Sequence, residues 1–574
     1  MAKMARARGA TLFDEDEIGA AWRDALAVWD MRVELSPPAP YGKSAGESWP
    51  TAHPTAKGKG SPRTQEPLAY IDLKARQVVV NLPLLVEIGA RGSLTAVLAH
   101  EIGHHVSFPH TLGLAAQLEL LERRLMPGLE QSLLNLFFDL LVNEHVGRTR
   151  ARELADVYRG FQTRQGPPTP LFWLYLAIYE ELWGPEAGPL VPAGSEEAMA
   201  ARFAGCRAEA RMFAQTFYAL PDIYLQFVYF ASVFLRYLDA DGKDGSRGPL
   251  GADVPSPDVD DYGGAIYGSP QVERALAEAR ERGWIEEGRE PAAAADPLAA
   301  IGQITAGRPG SEQKAFREAL VARHYKRLVD QHTIDLPATA PPPDRFLPTT
   351  LTDWNTGDDP RQIDWTASVL TSGAMAAVRP LRRDLEPEPP DEGTVGAVAV
   401  EIYLDTSGSM PNPQAALNTM TLAAQILSAS ALRAGGKVRG IIYSTDAVVS
   451  EWMYDEEAAR RFFLFYAGGG TRFPFATLAR LTDERKDAIR VVISDADFLH
   501  NLGHEPGARE HLSRGIAGSR RFVALLALAA SWHKNVVEAF GSLLAMPALR
   551  VVYVESTGEL GRVAGDLARA LFAR

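Results

Sequence analysis

Cysteine is almost missing from this 574-residue chain, which carries only Cys206. One thiol excludes an intrachain disulfide framework and any cysteine-rich zinc site, and it suits a reducing compartment, so the cytoplasm is the expected location. Basic charge is also scarce. Lys and Arg number 59 against 72 Asp and Glu, a formal net charge of -13. That balance argues against a broad nucleic-acid footprint and against adhesion to an anionic membrane, leaving protein and metal partners. Long apolar runs are absent too. MAKMARARGATLFDEDEIG has no apolar signal core, and IYLQFVYFASVFL from Ile223 is too short to span a bilayer, so it reads as a buried helix. No GxxxxGK[ST] occurs, and AGGGTRF lacks the lysine of a phosphate loop.

What is present exceeds one hydrophobic core. Residues 1–64 read as an N-terminal helix followed by a mobile, Pro- and Gly-rich stretch over 37–67. Residues 65–240 begin with a strand, RQVVVNLPLL, which feeds the helix SLTAVLAHEIGHHV with Ser93 as its N-cap; the rest is mostly helical, an α+β domain. Residues 241–340 are an acidic linker with amphipathic helices, and 239–265 and EPAAAADPLAA look like connectors. Residues 341–394 form a docking segment. From 395 to 574 short β-branched runs alternate with helices (VAVEIYL, VRGIIYS, IRVVISD, FVALLAL, LRVVYVE), which predicts a doubly wound, Rossmann-like α/β domain.

Two stretches carry chemistry. In LAHEIGHHVSFPH, His100 and His104 are four apart and lie about 40° from each other around a helix, so both imidazoles can reach one zinc ion. Glu101, offset by about 100°, can act as general base on a metal-activated water. His105 lies about 140° from His100 and falls outside the pair. A catalytic zinc needs a third ligand. His110 has metzincin spacing, although Ser107 stands where that motif turns on a glycine. The other candidate is Asp139 in LLNLFFDLLVNEHVGR, on a buried polar stripe where Asn135, Asn143 or Glu144 could support it. In the C-terminal region, Asp405, Ser407 and Ser409 form DxSxS, joined by Thr471 and Asp495 from other strand ends. Hydroxyls and carboxylates converging there suit Mg2+, with Mn2+ or Ca2+ as substitutes. Asp497, two residues on, can alter the surroundings of that site. Upstream, Trp354 and Trp365 read as anchors, with Asp358, Asp359, Arg361 and Asp364 as a charged network.

HEIGHH followed by NLFFDLLVNEH resembles the zincin-like metallopeptidase domains that precede von Willebrand factor A domains in bacterial proteins. That resemblance implies zinc, a peptidase activity and Asp139 as the third ligand. The DxSxS, Thr and Asp set resembles the metal-ion-dependent adhesion site of von Willebrand A domains, which implies a protein partner offering an Asp or Glu. GDDPRQIDW resembles a segment preceding such domains. Proteins of this type commonly act beside MoxR-type AAA+ ATPases, so such a partner is implied. The resemblance also leaves room for a non-catalytic adaptor or co-chaperone that uses both metals for structure and adhesion.

Overall fold

The computed structural model describes residues 13–30, 33–41, 67–73, 75–127, 129, 132–241, 257–285, 296–306, 310–333, 346–354, 360–372, 376, 380–387 and 398–572. The chain divides into two compact units, Met1–Val321 and Ala322–Arg574.

The first unit holds a small sheet and a helical core. Strands β1 (Ser36–Pro40), β2 (Ala69–Asp72) and β3 (Gln77–Val80) lie in the order β1-β3-β2. β3 pairs parallel with β1 and antiparallel with β2. β1, SPPAP, corrects the expectation of a loop from residue 37: proline cannot donate to a ladder, but an edge strand tolerates the loss. The remainder of that stretch, 42–66, lies outside the described residues.

The helices are α1 (Glu15–Val28), α2 (Leu82–Glu87), α3 (Leu94–Val106), α4 (Leu112–Leu125), α5 (Leu134–Gln165), α6 (Pro170–Trp183), α7 (Ser195–Arg202), α8 (Cys206–Phe217) and α9 (Ile223–Asp241). They continue with α10 (Val259–Ala265), α11 (Pro270–Glu281), α12 (Pro297–Thr305) and α13 (Gly310–His332). α2 stands between β3 and α3, so the strand does not feed the histidine helix directly. α9 buries Leu225, Phe227, Phe230 and Phe234, which makes the lipid-like run a core helix. No described helix is long and apolar enough to cross a membrane.

Two supposed connectors are helical where they are described. Asp258 forms a capping box on α10, and Asp296 accepts from Leu298 and Ala299 at the start of α12. Two of the acidic residues that suggested a linker, Asp258 and Asp296, are N-caps. α10 and α12 pack on α4, and α11 packs on α9. Trp22 of α1, Trp29 just after it, and Val272 and Leu276 of α11 join one core with α3 and α5. The first unit therefore spans three segments that the sequence separates.

The second unit begins in the last turns of α13, where the Tyr325 hydroxyl accepts the Asn418 N–H at 2.9 Å. β4 (Phe346–Asp353) and β5 (Leu381–Pro387) form an antiparallel pair around α14 (Trp365–Ser372). Asp364 caps α14 by accepting the Ala367 N–H at 2.9 Å and pairs with Arg383 at 2.8 Å. Trp365 is not an anchor: it is 54% exposed. Arg361 is exposed as well, and Asp358 and Asp359 lie outside the described residues.

Then come β6 (Ala399–Asp405), α15 (Thr419–Arg433), β7 (Lys437–Tyr443), β8 (Ala447–Val449), α16 (Glu456–Phe463), α17 (Phe475–Glu484) and β9 (Ala488–Ser494). α18 (Asp497–His504), α19 (Ala508–Ala517), β10 (Ser519–Ala527), α20 (His533–Phe540), β11 (Leu549–Val554) and α21 (Leu560–Phe572) complete the chain. The sheet order is β11-β10-β9-β6-β7-β8, parallel throughout except for β8 at the edge. α15 packs on one face with α21 beside it, and α17 to α20 cover the other. Every residue of β6 and β9 is buried, as a parallel sheet covered on both faces requires. From β6 the chain winds outward through β7 and β8, then returns to place β9 on the other side. Between β6 and β9 lies the switch point, where doubly wound sheets open a crevice at the carboxyl ends of their strands.

Candidate functional site

Three elements build the first centre. Gly103 lets α3 approach its neighbours: a Cβ there would lie 2.4 Å from Val142 of α5 and 2.5 Å from the Trp29 ring. Trp29 also donates its indole N–H to the Ala99 carbonyl at 2.8 Å. Ser93 occupies the N-cap position of α3 but makes no side-chain cap. Glu153 instead accepts the Ala96 N–H at 3.2 Å, reaching it from beyond the break in α5 at Arg150. The start of α5 is likewise capped from elsewhere, since Glu122 of α4 accepts the Leu133 N–H at 2.7 Å. Burial pushes the Glu122 carboxyl up to about 7.

These contacts bring His100, His104 and Asp139 together. His100 Nε2 and His104 Nε2 are 3.2 Å apart, and Asp139 Oδ1 is 3.5 Å from the first and 3.4 Å from the second. Zinc bonds of about 2.0–2.2 Å in a tetrahedron give ligand-to-ligand edges of about 3.3–3.6 Å; two of these spacings fall in that range and the third lies about 0.1 Å below it, so the set suits zinc. Among the described residues this is the only cluster of three or more His, Cys, Asp or Glu with that convergence.

The outer hydrogen bonds fix both imidazoles. His104 Nδ1 lies 2.8 Å from the Phe108 carbonyl, which can only accept, so Nδ1 carries the proton and Nε2 keeps its lone pair. His100 Nδ1 lies 2.8 Å from Asn143 Oδ1. Asn143 Nδ2 donates to Tyr158 at 3.1 Å and to Tyr179 at 3.0 Å, which assigns its amide orientation and gives His100 the same tautomer. Tyr179 also contacts the Asp139 carbonyl at 3.2 Å and Tyr175 at 2.8 Å. Burial pushes both phenols, Tyr175 and Tyr179, well up, which keeps them neutral donors. Asn135 reaches Asp139 Oδ2 at 3.5 Å. This pattern of support around metal-binding imidazoles is the usual one.

Other candidates stand apart. Glu144 pairs with Arg148 at 2.9 Å and takes no part in these contacts, so its supporting role is not kept. His110 is exposed, with Nδ1 3.1 Å from the Ser107 carbonyl, and lies outside the cluster. Glu101 and His100 line a small pocket with Asn143 and Tyr158. His100, Glu101, His104 and Asp139 are only 4%, 2%, 0% and 0% exposed. The sequence reading missed Tyr158, Tyr175 and Tyr179. The last two are four apart in the otherwise apolar stretch from Leu171 to Tyr179 of α6, a polar stripe like that of Asn135, Asp139 and Asn143.

The second centre sits at the switch point. Asp405 ends β6, Ser494 ends β9 and Asp495 follows it. Asp405 Oδ1 accepts the Ser407 N–H at 3.0 Å, and Oδ2 accepts the Ser494 hydroxyl at 2.8 Å. Ser407 Oγ is 3.1 Å from Ser409 Oγ, which donates to Asp495 Oδ2 at 3.1 Å. Thr471 joins through Asp497, its hydroxyl donating to Asp497 Oδ2 at 2.9 Å. Burial raises the Asp405 and Asp495 carboxyls, the strain of two anions that a hard cation would relieve. Oxygen donors alone, two of them carboxylates, suit Mg2+. Ser409 is exposed and Thr471 and Asp495 are half-buried, so the rim of the site reaches solvent.

No protein-family model matches the chain, and no curated protein matches it. Solved structures similar to it include a von Willebrand factor type A protein from Catenulispora acidiphila, 16% identical over 33% of this chain and 44% of that one, TM-score 0.23. An aerotolerance-related membrane protein from Bacteroides fragilis is 15% identical over 30% of this chain and all (100%) of that one, TM-score 0.23. The conserved hypothetical protein BatB from Bacteroides thetaiotaomicron is 17% identical over 30% of this chain and 98% of that one, again with TM-score 0.23. At such scores the architecture of the second unit rests on its own strand order and buried strands.

Proposed function

We propose that the chain is a two-centre metalloprotein. A zincin-like, zinc-dependent metallopeptidase centre lies in the first unit, and a Mg2+-dependent, von Willebrand A-like adhesion site lies in the second. The observation that carries the proposal is the triangle of His100 Nε2, His104 Nε2 and Asp139 Oδ1, with edges of 3.2, 3.5 and 3.4 Å and both imidazoles held in the metal-binding tautomer. Bound there, zinc would supply a Lewis acid for a peptide carbonyl and a more acidic water. Glu101, next to His100 on the same helix and lining a pocket with it, would serve as the base that accepts a proton there. In the second unit Asp405, Ser407, Ser409, Thr471 and Asp495 hold the cation, and the open rim admits an Asp or Glu side chain from a protein partner. A MoxR-type AAA+ ATPase is the partner that the motif resemblance supports.

One observation favours the other reading, a non-catalytic adaptor or co-chaperone. The first centre is nearly inaccessible, with none of His100, Glu101, His104 and Asp139 more than 4% exposed, whereas an extended peptide needs an open cleft. Casein digestion decides between the two: cleavage that stops on chelation and returns with zinc supports a peptidase, whereas a zinc-loaded chain that never cleaves supports the adaptor. For the second centre, calorimetric titration of the zinc-loaded chain with Mg2+ or Mn2+ is expected to show one site that Asp405→Ala abolishes. Unchanged binding in that variant would remove the adhesion site.

A further inference from the structure

The cation site of the second unit has a pattern of proton placement that its five donor residues do not explain. A hydroxyl owns one proton and two lone pairs, so a hydroxyl that faces a cation must send its proton elsewhere. Ser409 sends its proton to Asp495 Oδ2 at 3.1 Å, and Thr471 sends its own to Asp497 Oδ2 at 2.9 Å. Asp497 lies outside the donor set, yet it touches two donors. Its backbone N–H also holds Asp495 Oδ1 at 2.9 Å. One turn along α18, Asn501 donates to the Thr471 carbonyl at 3.1 Å and to the Asp497 carbonyl at 2.7 Å, and accepts the Phe473 N–H at 3.1 Å. The side chains of Asp497 and Asn501, four apart on one helix face, therefore grip the loop bearing Thr471 from its hydroxyl to its backbone.

We propose that Asp497 is a positioning residue for the cation site: it takes the Thr471 proton, aims that oxygen's lone pairs at the ion, and ties the Thr471 loop to Asp495. The inference rests on the reading of the second unit as a cation site. A hydroxyl that ligates a cation donates more strongly, and a carboxylate acceptor makes that bond charge-assisted. The plainer role for Asp497, an acidic residue in the first turn of α18, would affect helix stability without changing metal affinity.

The test is calorimetric titration of the zinc-loaded full chain with Mn2+, using wild type, Asp497→Ala, Asp497→Asn, Thr471→Val and the double variant Thr471→Val/Asp497→Ala. Asp497→Ala is expected to weaken Mn2+ binding about tenfold, the scale of one charge-assisted hydrogen bond. Asp497→Asn keeps an acceptor oxygen and is expected to lose less. The double variant is expected to bind no more weakly than Thr471→Val, because both changes remove one interaction. Wild-type affinity in Asp497→Ala, or additive losses in the double variant, would overturn the role of Asp497 while leaving the cation site intact. If wild type itself binds no Mn2+, the cation site falls and the positioning role falls with it.

Discussion

Glu101→Gln is expected to leave zinc bound and to lower casein cleavage by roughly 10²- to 10⁴-fold, the usual contribution of a general base. Glutamine preserves the shape and an acceptor oxygen but cannot take up a proton. Retention of zinc follows because His100, His104 and Asp139 converge without Glu101. Metal content and initial cleavage rates, measured on the same preparations, separate the outcomes. Loss of zinc with loss of cleavage would make Glu101 a structural member of the site, and full cleavage would place the base elsewhere.

The second large effect concerns stability. Arg490 and Glu401 form an ion pair at 2.8 Å between β9 and β6, both fully buried. The Arg490 guanidinium also donates to Ser519 at 3.0 Å and to the carbonyls of Arg485 at 2.7 Å, Leu481 at 3.3 Å and Gly518 at 3.3 Å. Burial raises the Glu401 carboxyl, and Arg490 is the main influence holding it down. Removing Arg490 would leave the buried Glu401 carboxylate to the more distant Arg439 at 4.0 Å and the Tyr403 hydroxyl at 3.2 Å, and breaking a buried pair in this way costs about 3–5 kcal/mol. Arg490→Ala is therefore expected to lower the melting transition of the second unit by about 10 °C in scanning calorimetry. Arg490→Met with Glu401→Leu removes both charges and is expected to recover part of that loss. An unshifted transition in Arg490→Ala would show that the pair and its carbonyl bonds contribute nothing net.

How much of this was legible in the sequence depends on how local each signal is. The spacing of His100 and His104 is a helix period and could be read directly. So could the polar stripe of Asn135, Asp139 and Asn143, because a buried polar group on an apolar helix needs a partner. The alternation after residue 395 likewise encodes the doubly wound sheet. Signals that depend on a distant segment were hidden. Nothing near Ser93 says that Glu153 will cap α3, and nothing in SPPAP says that β3 will pair with it. Trp365 looked like an anchor because tryptophan usually is buried, yet α14 turns it outward. Glu144 looked like a neighbour of Asp139, but Arg148, one turn on, takes its carboxylate. The tyrosines behind Asn143 come from α6 and from beyond the break in α5, so only the folded chain assembles them.

The central claim is that His100, His104 and Asp139 hold one zinc ion. Elemental analysis of the purified full chain by plasma mass spectrometry tests it most directly. About one zinc per chain is expected in wild type and in His110→Ala, with less than about a tenth of that in His100→Ala, His104→Ala and Asp139→Ala, because a three-ligand site does not survive loss of one ligand. A full complement of zinc in Asp139→Ala together with its loss in His110→Ala would contradict the account.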